Sequence, residues 1–289
     1  MSLPPSRVID LPTGSATFLT DGPSDARTVL LLHGGGLDCA SLSWRCLMPV
    51  LAAQYRVIAP NWPGYDGTAP FPGAYRIPDL GRWLMGFLDA LEIERATLVG
   101  VSMGGGAALW SAIHHPARVE ALVPVATYGV ADRGPSHLLS FLLTRLPLNA
   151  IAYAVLRRSR WAQRRALQAI FADPGKLTDA LVAELGAVLA HAGRGDPFTQ
   201  FQRGEMTATG LRTVLTDELP RITQPTLFIH GNADSLVPVA AVERAAGAMP
   251  RARLEIMQAG HWPMRECPEA FNALVTDFLA TLPATATPS

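Results

Sequence analysis

Net charge is missing from this chain: 24 Lys and Arg balance 24 Asp and Glu over 289 residues. The total therefore gives no electrostatic reason to expect nucleic acid or an anionic membrane as partner. Three cysteines, Cys39, Cys46 and Cys267, are scattered, odd in number and without C-x-x-C spacing. That excludes a disulfide framework and fits a reducing, cytoplasmic setting. No H-E-x-x-H occurs, and the adjacent pair His114-His115 diverges too far for joint ligation, so neither a metal nor another cofactor is expected. G-x-x-x-x-G-K-[ST] and G-x-G-x-x-G are absent too, which argues against a nucleotide-phosphate loop. The start, MSLPPSRVIDLPTG, lacks an apolar run behind a basic one, so no secretory leader is read there. The most apolar stretch, 141–156, is broken by Arg145 and Pro147 and is too short to span a bilayer.

What the chain does have is apolar material: 49% of its residues are hydrophobic and 17% charged, enough for a large core and too apolar for disorder. The length suits one large α/β domain or two ordinary ones. Short apolar runs at 27–34, 55–60, 96–102, 119–126, 225–231 and 252–258 read as strands. Most are continuously apolar, as expected where both faces of a mainly parallel sheet are covered. Helical spacing appears at 78–91, 103–115, 238–249 and 268–282, which implies βαβ units in a doubly wound sheet. The segments 8–11 and 16–20 read as an antiparallel edge. One stretch, 131–217, shows no strand and is rich in Leu, Ala and Arg. It reads as a helical lid dividing the core into 1–130 and 218–289, placed over the sheet edge where such sheets bind ligands. Its arginine run at 157–165 is taken as a solvated helix face in preference to an anionic docking site. The tail 282–289 is expected to fray.

The residues 100–104, Gly-Val-Ser-Met-Gly, satisfy G-x-S-x-G between a strand and a helix. A sharp turn there raises the Ser102 hydroxyl above the sheet, and the flanking glycines let neighbouring chains approach. A serine hydroxyl is a poor nucleophile until a base takes its proton, so a histidine and an orienting carboxylate must follow. Asp234, in HGNADSLVP (230–238), and His261, in AGHWP (259–263), supply them in the order Ser, Asp, His, each just past a strand. Asp132 is the rival acid. The remaining histidines close strands or helices (His33, His230, His114, His115) or lie in the insertion (His137, His191). The loop HGGG (33–36) offers bare backbone for an oxyanion, with the amides of Gly35 and Met103 preferred and Gly36 as the alternative.

Taken together, LLLHGGG (30–36), VIAPNWPGYDGTA (57–69), LVGVSMGG (98–105), PTLFIHGNADSLVP (225–238) and GHWPMRECPEAF (260–271) resemble the α/β-hydrolase superfamily along almost the whole chain. The resemblance implies an eight-stranded, mostly parallel sheet, a helical cap between strands six and seven, and no cofactor. It also implies Ser102 as nucleophile, Asp234 as orienting acid and His261 as base. Asn61 stands where an aspartate is frequent in the family. A serine nucleophile excludes the related dehalogenase and epoxide-hydrolase branches. Trp262, HGGG and SMGG also resemble the meta-cleavage-product hydrolases, which split carbon–carbon bonds in vinylogous diketo acids. Those generally carry an asparagine before the serine, where this chain has Val101, and a cap arginine for the substrate carboxylate, for which Arg203 is the candidate.

The first expectation is therefore a serine hydrolase of a carboxylic ester, lactone or thioester with a small to medium apolar substrate. The alternatives are a carbon–carbon hydrolase of the meta-cleavage-product type, or a non-catalytic small-ligand receptor on the same fold. Phe141, Leu142, Tyr153, Trp161, Phe198 and Phe201 are expected to give an apolar pocket. The partner is a small molecule, with no membrane span, and a homodimer is left open.

Overall fold

The computed structural model describes residues 3–70, 74–134, 136–191 and 197–283. Eight strands form one sheet: β1 Arg7–Leu11, β2 Gly14–Asp21, β3 Thr28–Leu32, β4 Arg56–Pro60, β5 Ala96–Val101, β6 Val119–Val125, β7 Thr226–Gly231 and β8 Ala252–Met257. Their spatial order is β1-β2-β4-β3-β5-β6-β7-β8. β1 and β2 pair antiparallel with each other, β2 pairs antiparallel with β4, and the rest of the sheet is parallel. The longer helices are α1 Ile77–Ala90, α2 Met103–His114, α3 His137–Thr144, α4 Leu148–Leu156, α5 Arg160–Gln168, α6 Asp179–His191, α7 Pro197–Glu205, α8 Val239–Ala248 and α9 Pro268–Ala280.

Successive residues of a strand point to opposite faces, and here both faces are buried. Leu30, Leu32 and Leu98 pack with residues of α1, α2 and α8 on one side. Val29, Leu31, Val99 and Val101 pack on the other with α9 and with Leu181, Val182, Leu185 and Leu189 of α6. This is why the central strands run mostly apolar and do not alternate. Asn61, just past β4, accepts from the Ala40 amide (2.9 Å) and donates to Thr17 Oγ1 (3.0 Å). An amide side chain both accepts and donates, which an aspartate in its ionised form could not do.

The connection leaving β3 runs to β4 on one side and the connection leaving the adjacent β5 runs to β6 on the other, so a crevice opens outside the carboxyl ends of β3 and β5. The loops after β3, β5, β7 and β8 all emerge at this edge. Between β6 and β7 the chain departs into α3 to α7, with one isolated bridge, Met206 to Leu211, closing the excursion. Among the described residues no single helix is long and apolar enough to cross a membrane, and α3 and α4 meet at an 82° bend. Pro147 lies in that break, where its ring cannot continue a helix. Residues 284–289, expected to fray, lie outside the described residues.

Candidate active site

Ser102 follows β5 directly and takes φ +52° and ψ −116°, a conformation L residues avoid. Three backbone bonds hold it there. Its amide donates to the Val125 carbonyl (2.9 Å), and its carbonyl accepts from the amides of Gly106 and Tyr128 (3.0 Å each). The flanking glycines are demanded by contact: a β-carbon on Gly100 would lie 2.5 Å from Gly104 backbone, and one on Gly104 would lie 2.3 Å from the Leu32 carbonyl. Met103 is the first residue of α2, so its amide has no partner within the helix and points with the positive end of the helix dipole.

The loop after β3 is fixed by two buried polar groups. Trp62 donates its amide to His33 Nε2 (3.1 Å), which puts the ring proton on Nδ1, donated to the Gly34 carbonyl (2.7 Å). Burial pushes the His33 imidazole down to about 3, against the opposing pull of the Gly34 bond. Asp38 accepts from the Gly34 amide (2.7 Å), the Ser43 hydroxyl (2.6 Å) and the Cys39 amide (2.8 Å). Burial still pushes its carboxyl up to about 6, because those bonds offset only part of the desolvation. With the Gly34 amide engaged, Gly35 and Gly36 are the backbone that faces the crevice.

Asp234 and His261 come together from the loops after β7 and β8. Asp234 Oδ2 lies 2.8 Å from His261 Nδ1, and Oδ1 accepts from the amides of Leu236 (2.8 Å) and Val237 (3.1 Å). Burial alone would raise the Asp234 carboxyl, but the bond and charge of His261 and the two amides hold it below its ordinary value. His230, 3.7 Å from the same carboxylate, bonds the Val237 carbonyl through Nε2 (3.0 Å), and burial lowers its pKa. It is a neutral neighbour. The His261 loop is clamped by Glu266, which accepts from the amides of Gly260 (2.7 Å), Ala172 (3.1 Å) and Asp173 (2.8 Å), while the His261 amide donates to Ile170 (2.8 Å). Asp132 is exposed, and it is Asp234 that meets the imidazole. Ser102 and His261 line one cavity, although no hydrogen bond joins Ser102 Oγ to His261 Nε2. Such contacts often close only once substrate is present.

That cavity has a volume of about 400 Å³. Gly35, Gly36, Met103 and Trp262 line it together with Ser102 and His261, and α7 roofs it with Phe198 and Phe201, whose rings stack at 14°. Phe198 lies so close over the loop that a β-carbon on Gly35 would meet its ring at 2.8 Å. Several expected pocket residues lie elsewhere. Arg203 turns away and donates through Nε to the Thr144 carbonyl (2.8 Å). Phe141 lies under the Arg145 guanidinium (4.8 Å), and Tyr153 lines a separate, smaller cavity. Leu142 and Trp161 face solvent, at 53% and 72% exposure. The physical reason is that α3 and α4 are apolar on more than one side, and on α5 Trp161 stands among arginines, so composition alone does not say which side faces in.

Sequence reasoning passed over Glu205. Its fully buried carboxylate accepts from the Ile77 amide (2.8 Å), the Thr213 amide (2.9 Å) and hydroxyl (2.8 Å), and the Tyr128 hydroxyl (3.3 Å). It pins the end of α7 to the start of α1 and stands in the cavity wall. Burial and the adjacent carboxylate raise the Tyr128 hydroxyl far above its ordinary pKa, so it remains a donor. Arg133, exposed, is the one cationic side chain among the described lining residues. Among the described residues no three His, Cys, Asp or Glu side chains gather to hold a metal.

Residues 27–266 match the family description of the alpha/beta hydrolase fold. A 2-hydroxy-6-oxononadienedioate/2-hydroxy-6-oxononatrienedioate hydrolase of Cupriavidus pinatubonensis is 33% identical over 287 residues, covering 95% of each chain. A 2-hydroxymuconate semialdehyde hydrolase of a Pseudomonas species is 34% identical over 267 residues, 89% of this chain and 88% of the relative. Among solved structures, a meta-cleavage product hydrolase from Pseudomonas fluorescens superposes with a TM-score of 0.78 at 26% identity, covering 95% of this chain and 97% of that one.

Proposed function

The chain belongs to the α/β-hydrolase family and is a hydrolase, and from that premise we propose that it cleaves esters of uncharged, largely apolar acids through a Ser102–His261–Asp234 triad. The observation that carries this reading is the cavity at Ser102: it is sized for a small ligand, walled by aromatic and aliphatic side chains, and holds a buried carboxylate with no buried cation among the described lining residues. An anionic substrate would meet Glu205 there; a neutral acyl chain or aromatic ring would bury apolar surface.

In the proposed reaction Ser102 Oγ attacks the carbonyl carbon while His261 Nε2 takes its proton. The bond from Nδ1 to Asp234 Oδ2 sets the tautomer that makes Nε2 the base and stabilises the imidazolium that follows. The oxyanion forms against the amides of Gly35 and Met103, the second at the start of α2. The tetrahedral intermediate collapses, the alcohol leaves with the proton held by His261, and an acyl-Ser102 ester remains. Water, deprotonated by His261, attacks that ester and releases the acid. Residues 131–217 act as the lid that keeps bulk water from this chemistry.

The test is Ser102→Ala against p-nitrophenyl esters, with turnover falling by at least roughly 10⁴-fold while the fold is kept. Wild-type rates in the alanine variant would end the proposal. A second reading, carbon–carbon hydrolysis, is favoured by the two relatives at about a third identity. Offering a dienoic ring-fission product and following its visible absorbance decides between them: no decay alongside good ester turnover removes the second reading, and rapid decay with poor ester turnover removes the first.

A further inference from the structure

Between residues 137 and 172 there are six arginines (145, 157, 158, 160, 164 and 165) and no aspartate or glutamate. The neutral total of the chain conceals this. The same stretch exposes large apolar side chains in helical register. On α3 and its exit, Leu138, Leu139, Leu142, Leu143 and Leu146 are 41–58% exposed. On α4, Leu148, Ile151 and Val155 follow at 41–57%, and on α5 Trp161 is 72% exposed. Residues 139, 142, 143 and 146, and 148, 151 and 155, are spaced as single helix faces. These leucines are not cavity residues: α3 and α5 face the cavity through Ser140, Ala166 and Leu167, on their other sides.

Three of these arginines are held by neutral groups. Arg164 pairs with Asp179, but Arg145, Arg158 and Arg165 bond neutral oxygens, those of Met206, Ala154 and Gln168. An apolar helix face with an exposed tryptophan and a fringe of arginine is the composition that lies in a lipid headgroup layer, and the 82° bend between α3 and α4 excludes one continuous span. A second copy of the chain would instead bring this arginine-rich face, Arg145, Arg158 and Arg165 included, against its like, with no carboxylate between residues 137 and 172 to answer it. We infer that α3, α4 and the start of α5 dock this enzyme on an anionic phospholipid surface, with the cavity on the inner side of the same helices. The inference does not depend on which bond the site cleaves.

The experiment is flotation of the full chain with unilamellar vesicles. It should float with equimolar phosphatidylcholine and phosphatidylglycerol, stay behind with pure phosphatidylcholine, and bind less as salt rises. Leu139→Ser and Ile151→Ser should each lower partitioning about tenfold, and Arg158→Gln and Arg165→Gln about fivefold each. All four sites are exposed, so the variants should keep the wild-type melting temperature and the wild-type turnover of whichever soluble substrate the enzyme accepts. No vesicle binding, equal binding to both lipids, or binding that survives all four changes overturns the inference. So does a dimer in solution that Leu139→Ser and Ile151→Ser dissolve, which would give the face to a second copy.

Discussion

Replacing Ser102 by glycine should leave a more stable protein than replacing it by alanine, although both variants lose the proposed nucleophile. The backbone at 102 stands at φ +52° and ψ −116°. Holding a residue with a β-carbon in such a region costs about 1–3 kcal/mol. Alanine keeps the β-carbon and hence the strain, while glycine removes it. Against that gain, glycine has more freedom to lose on folding, about 0.5–1 kcal/mol. The balance favours Ser102→Gly over Ser102→Ala by about 1 kcal/mol, or roughly 2–4 °C in melting temperature for a chain of this size. Denaturant unfolding of the two variants at equal m-value measures it, with inactivity common to both so that no substrate effect intrudes. The amide of Ser102 on Val125 and its carbonyl on Gly106 and Tyr128 are what would hold the strained turn. If Ser102→Gly proved no more stable than Ser102→Ala, the turn would be relaxed, and the account of why the site is built from Gly100 to Gly104 would fail.

Asp234→Asn should lower ester turnover by about 10³–10⁴-fold with the fold intact, because an amide at Oδ2 would face the Nδ1 proton of His261 and favour the wrong tautomer; steady-state kinetics showing less than a tenfold loss would argue against that role. A pH prediction concerns two buried groups beside the proposed oxyanion loop. His33, with its folded pKa lowered to about 3, contributes stability that is present above its unfolded value of 6.5 and lost as pH falls from there toward 3. Asp38, raised from 3.8 to about 6, acts with the opposite sign: its contribution is present below 3.8 and lost as pH rises through 6. The second shift corresponds to about 3 kcal/mol. Between about pH 4 and 6 the two slopes oppose each other, so Asp38→Asn should lose stability on acidification more steeply than the wild type. Denaturant midpoints measured across that window would show it, and parallel curves would refute it.

The strands were readable because a central strand in a two-sided sheet has no polar face to interrupt it, as in Leu30 to Leu32 and Leu98 to Val101. The positions of Ser102, Asp234 and His261 were readable for a related reason: each stands directly after such a run, so all three had to emerge at one sheet edge. What holds those residues in place was not readable. Asp38, Glu205 and Glu266 bond mainly to backbone amides of Gly34, Ile77, Thr213, Ala172 and Gly260, and an amide leaves no mark in a sequence. Nor was the inward side of the inserted helices. Leu142 and Trp161 share with Phe198 and Phe201 the composition of a pocket wall, yet the first two face solvent and the last two roof the cavity. Arg203 drew notice for its charge in FQRGE, while its neighbours Gln202 and Glu205 are the ones that reach the cavity.

A triad of this kind attacks a carbonyl whatever bond lies next to it, so the choice of substrate must come from the wall. A relative named for a dienedioate acts on a compound with two carboxylates, and burying each without a cation costs several kcal/mol. Here the cationic side chain at the cavity, Arg133, is exposed and already donates to the Thr209 carbonyl, and the buried charge, Glu205, has the wrong sign. Glu205 cannot readily be given up, because four donors on three elements converge on it and would be stranded. On the proposed reading, the carboxylate that anchors α7 over the site would therefore also set a preference for neutral substrates. A single Glu205→Gln change would loosen the roof and relax that preference together. Separating anchoring from selectivity calls instead for comparing neutral with anionic esters of equal size on the unaltered enzyme. If kcat/KM for the anionic ester matched that for the neutral one, the wall would not be selecting on charge, and the case for a neutral substrate would go with it.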